Sequence, residues 1–95
     1  MRRIVSQSFP KPLISNAENI GTAIRAARTQ ANLGIRDAAL LVGVAVQTLS
    51  DIEAGKPGVA LGNVLKVAEG LGVDLFVVSR RHRGVVQNRL ADLPS

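Results

Sequence analysis

The 95-residue chain contains no cysteine, tryptophan or tyrosine, and only two phenylalanines and one histidine. The absence of cysteine excludes disulfides, thiol catalysis and cysteine–zinc sites, and a single histidine, His82, cannot form a histidine metal cluster. With so few aromatic side chains, the hydrophobic core must be built from Leu, Val, Ile and Ala, which favours helices over a β-sandwich. The sequence therefore predicts a mainly α-helical domain with no metal and no other cofactor.

Long hydrophobic runs are missing as well. The longest, Ala38 to Val46, is far shorter than the roughly 20 residues of a membrane-spanning helix. The first residues, MRRIVSQSFPKP, have two arginines but no apolar segment of the kind found in signal peptides. The sequence also lacks a glycine-rich phosphate loop after a strand and a cluster of catalytic side chains. We therefore expect a cytoplasmic protein that is not an enzyme and does not contact a membrane.

Basic charge is concentrated at the two ends of the chain. The net charge is +5, from 12 lysines and arginines against 7 aspartates and glutamates. The basic residues at the ends are Arg2, Arg3, Lys11, Arg80, Arg81, Arg83 and Arg89. Between Pro12 and Ser79 the two signs nearly balance. Basic ends suit a polyanion such as DNA, although a solvated tail that only aids solubility explains the same charges.

The spacing of apolar residues predicts four helices. Small and aliphatic residues recur every three or four positions in four segments: Asn16 to about Gly34, Ile35 to Val42, Val46 to about Ala54, and Leu61 to Leu71. Glycines at or near their ends stop these helices. The segment before them contains prolines and no helical pattern. We therefore divide the chain into an extended arm (1–15), a helical domain with a terminal strand (16–79) and a basic tail (80–95).

The segment VDLFVVS, residues 73–79, is β-branched and aromatic, which predicts a strand. A lone strand leaves its backbone N–H and C=O groups unpaired. It must pair with the N-terminal arm, with the segment around Val85 and Val86, or with the same strand of a second copy, which is a two-fold interface. The residues of the candidate dimer strand are Val73, Leu75, Phe76, Val77 and Val78.

The stretch GVAVQTLSDIEAGK, residues 43–56, follows the plan of helix, glycine turn and helix. Gly43 provides the turn, and Ala39, four positions earlier, is small enough to let the two helices approach. Leu49 and Ile52 fit the buried face of the second helix. The outer face carries short hydrogen-bonding side chains: Gln47, Thr48 and Ser50. Such donors and acceptors suit the edges of bases in the major groove of DNA.

In type and spacing of residues, the sequence resembles the Cro/phage-repressor (xenobiotic-response-element) family of helix-turn-helix regulators. The resemblance is carried by AALLVGVAVQTLSDIEAGK and, further on, LGNVLKVAEGLGV. It implies a lambda-repressor-like bundle of four to five helices, with a short C-terminal strand that pairs between two chains. The segment PGVALGNVLKVAEGLGVDLFVV looks most like the HipB-type antitoxins, whose dimer represses its own operon and restrains a HipA-type kinase toxin.

The resemblance also implies roles for individual residues. The base-reading positions of the family correspond to Val46, Gln47, Ser50 and Asp51. Phosphate contacts are implied for Arg36, Thr48 and Lys56. A structural pair that bridges the first and third helices, and fixes the reading helix without touching DNA, corresponds to Arg28 and Glu53.

The functional prediction is a sequence-specific repressor that binds a palindromic operator in double-stranded DNA as a homodimer. Within that prediction, we favour the antitoxin of a HipA/HipB-type pair that regulates its own operon. The alternative is a stand-alone or phage-type transcriptional regulator without a toxin partner. A kinase-like reading frame next to the gene would separate the two, because only the antitoxin needs it.

Several departures from the family pattern affect these predictions. Gly34 and Ile35 replace the Thr/Ser–Gln pair that usually starts the second helix, and Ala45 replaces the usual Ser or Thr cap of the third. Both helices are therefore expected to lack a side-chain cap. Leu40 and Leu41 stand where charged residues are common. We favour their burial through a slightly rotated helix, the alternative being an exposed patch for a partner protein.

Overall fold

The structure, a computed structural model, describes residues 3–11 and 16–94. Residues 1–2 and 12–15 of the predicted arm, and Ser95 of the predicted tail, lie outside the described residues. The helices are α1 (Ala17–Gln30), α2 (Ile35–Val42), α3 (Val46–Glu53), α4 (Leu61–Leu71), a short 3-10 helix (Arg80–His82) and α5 (Arg83–Leu90). The prediction of a mainly α-helical bundle with four to five helices is confirmed. None of the described helices is both long enough and apolar enough to cross a membrane.

Helix α1 begins at the predicted position. The Oδ1 atom of Asn16 accepts a hydrogen bond from the backbone N–H of Asn19 at 2.9 Å. Glu18 lies in the first turn, where a negative charge interacts favourably with the helix dipole. The helix ends at Gln30, somewhat earlier than predicted, and Asn32 adopts a left-handed conformation with φ of 58°. Because asparagine tolerates this conformation better than most residues, it turns the chain without a glycine.

Glycines terminate α2 and α4. Gly43 has φ of 78° and donates its N–H to the carbonyl oxygen of Ala39 at 2.9 Å, and Gly72 has φ of 76°. Both values lie in the left-handed region that glycine adopts without steric cost. At the N-terminal ends of α2 and α3, Gly34 and Ala45 provide no side-chain cap, as expected from their residue types. These two short helices are therefore held by tertiary packing.

The core lies between α1, α2, α3 and α4. Its largest fully buried side chains are Ile24, Leu49 and Val67, one each from α1, α3 and α4. Burial of an aliphatic side chain of this size contributes about 1.5–3 kcal/mol to the stability of the folded state. Around them are smaller buried residues, including Ala38, Ala39, Val42 and Ala68. Because these side chains are short, the helices approach closely, and α3 packs on both α1 and α2.

Leu40 and Leu41 lie outside this core, and our prediction of their burial is wrong. Their side chains are 83% and 65% exposed. Helix α2 instead buries Ala38, Ala39 and Val42. A helix at a surface can turn only one face inward, so burial of the alanine face leaves the leucine pair in solvent.

Residues 73–79 leave α4 without regular secondary structure. Beyond Val73 their side chains are exposed, with Phe76 at 79% and Val77 at 98%. Nowhere in residues 3–11 or 16–94 does the structure contain a β-strand. The single chain therefore does not form the predicted strand, because a strand requires a neighbouring backbone and the described segments supply none. Pairing with a second copy stays a prediction.

The basic C-terminal segment is helical. Helix α5 has no buried residue and contributes nothing to the core. Its contacts within the chain are mainly with the preceding 3-10 helix. The arginines of this segment are exposed: Arg80, Arg81, Arg83 and Arg89. The predicted basic tail is thus a helical appendage that presents positive charge to solvent.

Part of the N-terminal arm is anchored on α1. The Oγ1 atom of Thr29 accepts a hydrogen bond from the backbone N–H of Gln7 at 2.9 Å. The Nε2 atom of Gln30 donates to the carbonyl oxygen of Gln7 at 2.8 Å, and the hydroxyl of Ser6 donates to the carbonyl oxygen of Thr29 at 3.4 Å. Both backbone groups of Gln7 are therefore satisfied by side chains of a helix.

Substitution of Thr29 by valine should loosen this arm. Valine has nearly the same shape but cannot accept the hydrogen bond from Gln7. We therefore expect the free energy of unfolding to fall by about 1 kcal/mol and the backbone amide of Gln7 to exchange faster. Hydrogen exchange followed by NMR measures the second effect directly. Thr22→Val is the matched control, because the Thr22 hydroxyl bonds within α1, to the carbonyl oxygen of Glu18 at 3.0 Å. Equal exchange at Gln7 in the two variants would contradict the anchoring role of Thr29.

Candidate nucleic-acid interface

Helix α3 has one buried face and one accessible face. The buried residues are Leu49, Ile52 and Glu53. The accessible residues are Val46, Gln47, Ser50 and Asp51, which we call the reading face. Gln47, Ser50 and Asp51 follow Val46 by one, four and five positions, which places the four side chains next to each other on the helix. The first two are exposed and the other two half-buried, so all four positions predicted to read bases lie on one surface.

The turn before α3 is held by α2 and α4. The backbone N–H groups of Gly43 and Val44 both donate to the carbonyl oxygen of Ala39, at 2.9 and 3.1 Å. The Nζ atom of Lys66, on α4, donates to the carbonyl oxygen of Gly43 at 3.0 Å. This ammonium group lies at the C-terminal end of α2, where a positive charge interacts favourably with the helix dipole. Lys66 was not predicted, because its contact joins helices that are distant in sequence.

A buried ion pair fixes the end of α3. The side chain of Glu53 is 1% exposed, and its carboxylate accepts hydrogen bonds from Nε and Nη2 of Arg28 at 2.6 and 2.9 Å. Arg28 also donates to the carbonyl oxygen of Leu33 at 2.9 Å. Nε of Arg25 is a further donor to Glu53, at 3.1 Å. Sequence reasoning missed Arg25, although its position three residues before Arg28 puts both on one side of α1.

A row of three side chains, joined by one hydrogen bond and one ion pair and called the ladder below, crosses the accessible side of α3. The Nε2 atom of Gln47 donates to Oδ1 of Asp51 at 2.8 Å, and Nζ of Lys56 lies 3.1 Å from the same oxygen. The hydrogen bond from Gln47, followed by that from Lys56, lowers the pKa of Asp51 below its ordinary value. A lowered pKa favours the charged form, so the ladder persists at neutral pH and is lost only as the pH falls below the usual carboxyl range.

An open groove of about 520 Å³ runs beside the ladder. It is lined by Thr48, Asp51, Lys56, Pro57, Gly58, Val59, Ala60 and Asn63. The hydroxyl of Thr48, the ammonium of Lys56 and the amide of Asn63 are donors of the kind that contact phosphates. Two predicted phosphate contacts therefore line one groove, and Asn63, which we did not predict, lines it too.

Arg36 does not line this groove. It is exposed in the first turn of α2, on the helix before the glycine turn. The other basic residues of the helical domain already make hydrogen bonds or ion pairs within the chain: Arg25, Arg28, Lys56 and Lys66. The exposed arginines at the ends of the chain therefore carry much of the positive charge that is available to a polyanion.

The succession of α2, a glycine turn and an α3 with an accessible polar face defines the helix-turn-helix class of DNA-binding domain. The chain belongs to the helix-turn-helix family, which matches residues 24–78. The matched range includes the second half of α1, all of α2, α3 and α4, and residues 73–78 of the segment that follows.

Individual known proteins are similar to the chain in sequence or in fold. The uncharacterized HTH-type transcriptional regulator y4mF of Sinorhizobium fredii is 33% identical over 70 residues, which cover 74% of this chain and 92% of that protein. A solved structure of a HipB-O4 20mer complex is 18% identical, with a TM-score of 0.65 over 72% of this chain and 96% of that chain. A solved structure named MDT Protein is also 18% identical, with a TM-score of 0.64 and the same coverage. At this identity the two structures establish a shared fold.

Proposed function

We propose that this DNA-binding regulator of the helix-turn-helix type recognises a specific operator as a homodimer and represses transcription there. The observation that supports the proposal most directly is the reading face, a small polar surface on a helix whose other side is buried. Gln47 suits paired hydrogen bonds to an adenine, and Val46 suits contact with a thymine methyl group. A good paired contact of this kind contributes about 1–3 kcal/mol of discrimination between bases.

Contacts to phosphate would position this face on the duplex. Thr48 and Lys56 line the groove beside the reading face, and Arg36 is exposed on α2. Such contacts carry no sequence information but set the register of the protein on DNA. The exposed arginines of the C-terminal segment add attraction that does not depend on sequence and that weakens as salt rises.

A second copy would cover the exposed segment 73–79. Leu75, Phe76, Val77 and Val78 are 37%, 79%, 98% and 45% exposed, an unusual amount of apolar surface for consecutive residues. Pairing with the same segment of a partner chain would satisfy the backbone groups and cover these side chains. Two reading faces related by a two-fold axis contact half-sites about 10 base pairs apart, so the operator is expected to be palindromic.

A narrower proposal is that the protein is the antitoxin of a HipA/HipB-type pair. It is supported by the sequence resemblance to HipB-type antitoxins and by the exposed Leu40 and Leu41 on α2, which offer an apolar surface for a partner such as a HipA-like kinase. The alternative is a stand-alone or phage-type regulator. Either role would place the protein in the cytoplasm, where the DNA is.

Mobility-shift assays with the upstream region of the protein's own gene test the proposal. We expect two chains per duplex and an affinity that falls as salt rises. Gln47→Ala should lower the preference for this region over random DNA by roughly tenfold, because a base contact is removed. Truncation after Ser79 should instead weaken binding to both duplexes and reduce the salt dependence.

Two results would contradict the proposal at different levels. Binding that is equally strong to random DNA would exclude a sequence-specific regulator. Selective binding with one chain per duplex would retain the regulator but exclude the homodimer.

A further inference from the structure

A single oxygen of Asp51 holds two donors. Its Oδ1 atom accepts a hydrogen bond from Nε2 of Gln47 at 2.8 Å and lies 3.1 Å from Nζ of Lys56. We propose that Asp51 is a positioning residue, which orients the side-chain amide of Gln47 for base reading and does not itself read a base. The inference rests on the proposed DNA-binding function, and it gives Asp51 a different role from the one that the family resemblance implies.

The amide group of a glutamine has two ends of similar shape and opposite chemistry. The oxygen accepts hydrogen bonds and the NH2 group donates them. A free side chain can present either end, whereas the major-groove edge of adenine requires an acceptor near N6–H and a donor near N7. An ionised carboxylate only accepts, so Asp51 binds the NH2 end of Gln47. Asp51 thereby selects one of the two orientations of the amide.

The groups of Gln47 that remain match what a base edge requires. One N–H bonds to Asp51, which leaves the second N–H and the Oε1 atom for adenine. Residues 47 and 51 are one helical turn apart on the same face, so their contact needs no distortion of α3. A side chain that is already ordered in the free protein loses less rotamer freedom on binding. The contact with Asp51 therefore favours the orientation of the Gln47 amide that adenine requires, and it keeps the side chain in that orientation.

Lys56 explains how a carboxylate is accommodated on a surface that faces DNA. Its ammonium group lies against the same Asp51 oxygen, while its side chain stays 61% exposed. The positive charge offsets the repulsion between the carboxylate and nearby phosphates. It also favours the ionised form of Asp51, which can only accept hydrogen bonds. The ladder is thus complete before DNA binds.

A sequence-selection experiment tests the inference. The whole 95-residue chain is used to select preferred sequences from short duplexes with a randomised centre. The base pair whose preference disappears in Gln47→Ala is the one that Gln47 reads. Asp51→Ala should reduce the preference at this same base pair by roughly tenfold, and affinity for random duplexes should rise because a carboxylate near the phosphates is removed. Asp51→Glu keeps an ionised acceptor one turn away and should restore the preference.

Further variants separate orientation from general charge effects. Glu69→Gln removes one negative charge from an exposed position on α4 and should leave the base preference unchanged. In the double variant, Asp51→Ala should add no loss to that of Gln47→Ala, because it acts through Gln47. Full preference in Asp51→Ala or in Gln47→Ala would overturn the inference. A loss at a base pair that Gln47 does not read would also overturn it, because Asp51 would then contact a base directly.

NMR spectra of the free protein distinguish a failure of this inference from a failure of the proposed function. One side-chain Nε2 proton of Gln47 should be shifted by its hydrogen bond to Asp51, and the shift should vanish in Asp51→Ala and persist in Asp51→Glu. Identical shifts in the wild type and Asp51→Ala would overturn the inference even if DNA binding is selective. If the wild type enriches no sequence, the proposed function fails and this inference fails with it.

Discussion

Replacement of Glu53 by methionine should lower the free energy of unfolding by about 3–5 kcal/mol, because it leaves a buried charge without its partner. The Arg28 side chain is only 12% exposed, and Glu53 accepts two of its hydrogen bonds. Methionine fills a similar volume but cannot accept these bonds. Chemical denaturation followed by circular dichroism measures the change.

Two further variants distinguish an unpaired buried charge from a loss of packing. Arg25→Met removes the more exposed partner of Glu53, whose side chain is 50% exposed. It should lower the free energy of unfolding by no more than about 1 kcal/mol. The double variant Arg28→Met/Glu53→Met removes both buried charges and should be more stable than Glu53→Met alone. If Glu53→Met is no more harmful than Arg25→Met, the ion pair does not hold α1 to α3.

Gly21→Ala should destabilise the domain by about 2 kcal/mol or more, because α1 and α3 meet at this glycine without room for a methyl group. An added Cβ would lie 2.8 Å from the carbonyl oxygen of Glu53 and closer still to that of Ile52. Both obstacles are backbone atoms, which cannot rotate away as a side chain can. The intrinsic helix preference of alanine offsets only about 1 kcal/mol of this crowding. Thermal unfolding of the variant provides the measurement.

Gly62→Ala is the matched control, since it makes the same change in α4. An added Cβ at this position meets no atom within 4 Å. We expect the variant to be as stable as the wild type or up to about 1 kcal/mol more stable. Equal stability of Gly21→Ala and Gly62→Ala would show that α1 and α3 are not in close contact.

Several helix ends were predictable because local chemistry sets them. Gly43 and Gly72 take left-handed conformations, and Asn16 caps α1 with its own side chain. The reading face was predictable for a similar reason, since the helical repeat alone places Val46 and Ser50 on one side of α3. Both kinds of prediction depend on residues within a turn or two of each other.

The exposed face of α2 was predicted wrongly. From Ala38 to Val42 the helix is apolar on all sides, and only Arg36 and Asp37, one turn before Leu40 and Leu41, indicate which face is outward. Packing against α3 and α4 selects the small side chains and leaves Leu40 and Leu41 exposed. That choice depends on how closely helices approach, which a hydrophobic pattern does not contain.

The polar contacts around the site were missed because they depend on tertiary placement. Lys66 reaches Gly43 across 23 positions of sequence, and Arg25 reaches Glu53 across 28. The ladder was missed for a different reason: the spacing of Gln47 and Asp51 permits a hydrogen bond, but the rotamers and Lys56 determine whether it forms.

The side chains that secure α3 and those it displays are separate sets. Leu49, Ile52 and Glu53 hold the helix to the rest of the protein, whereas Val46 and Gln47 point away from it. A protein arranged in this way can exchange its outward residues with little effect on folding. New binding preferences are therefore accessible to evolution, or to an engineer, by substitutions that the scaffold tolerates.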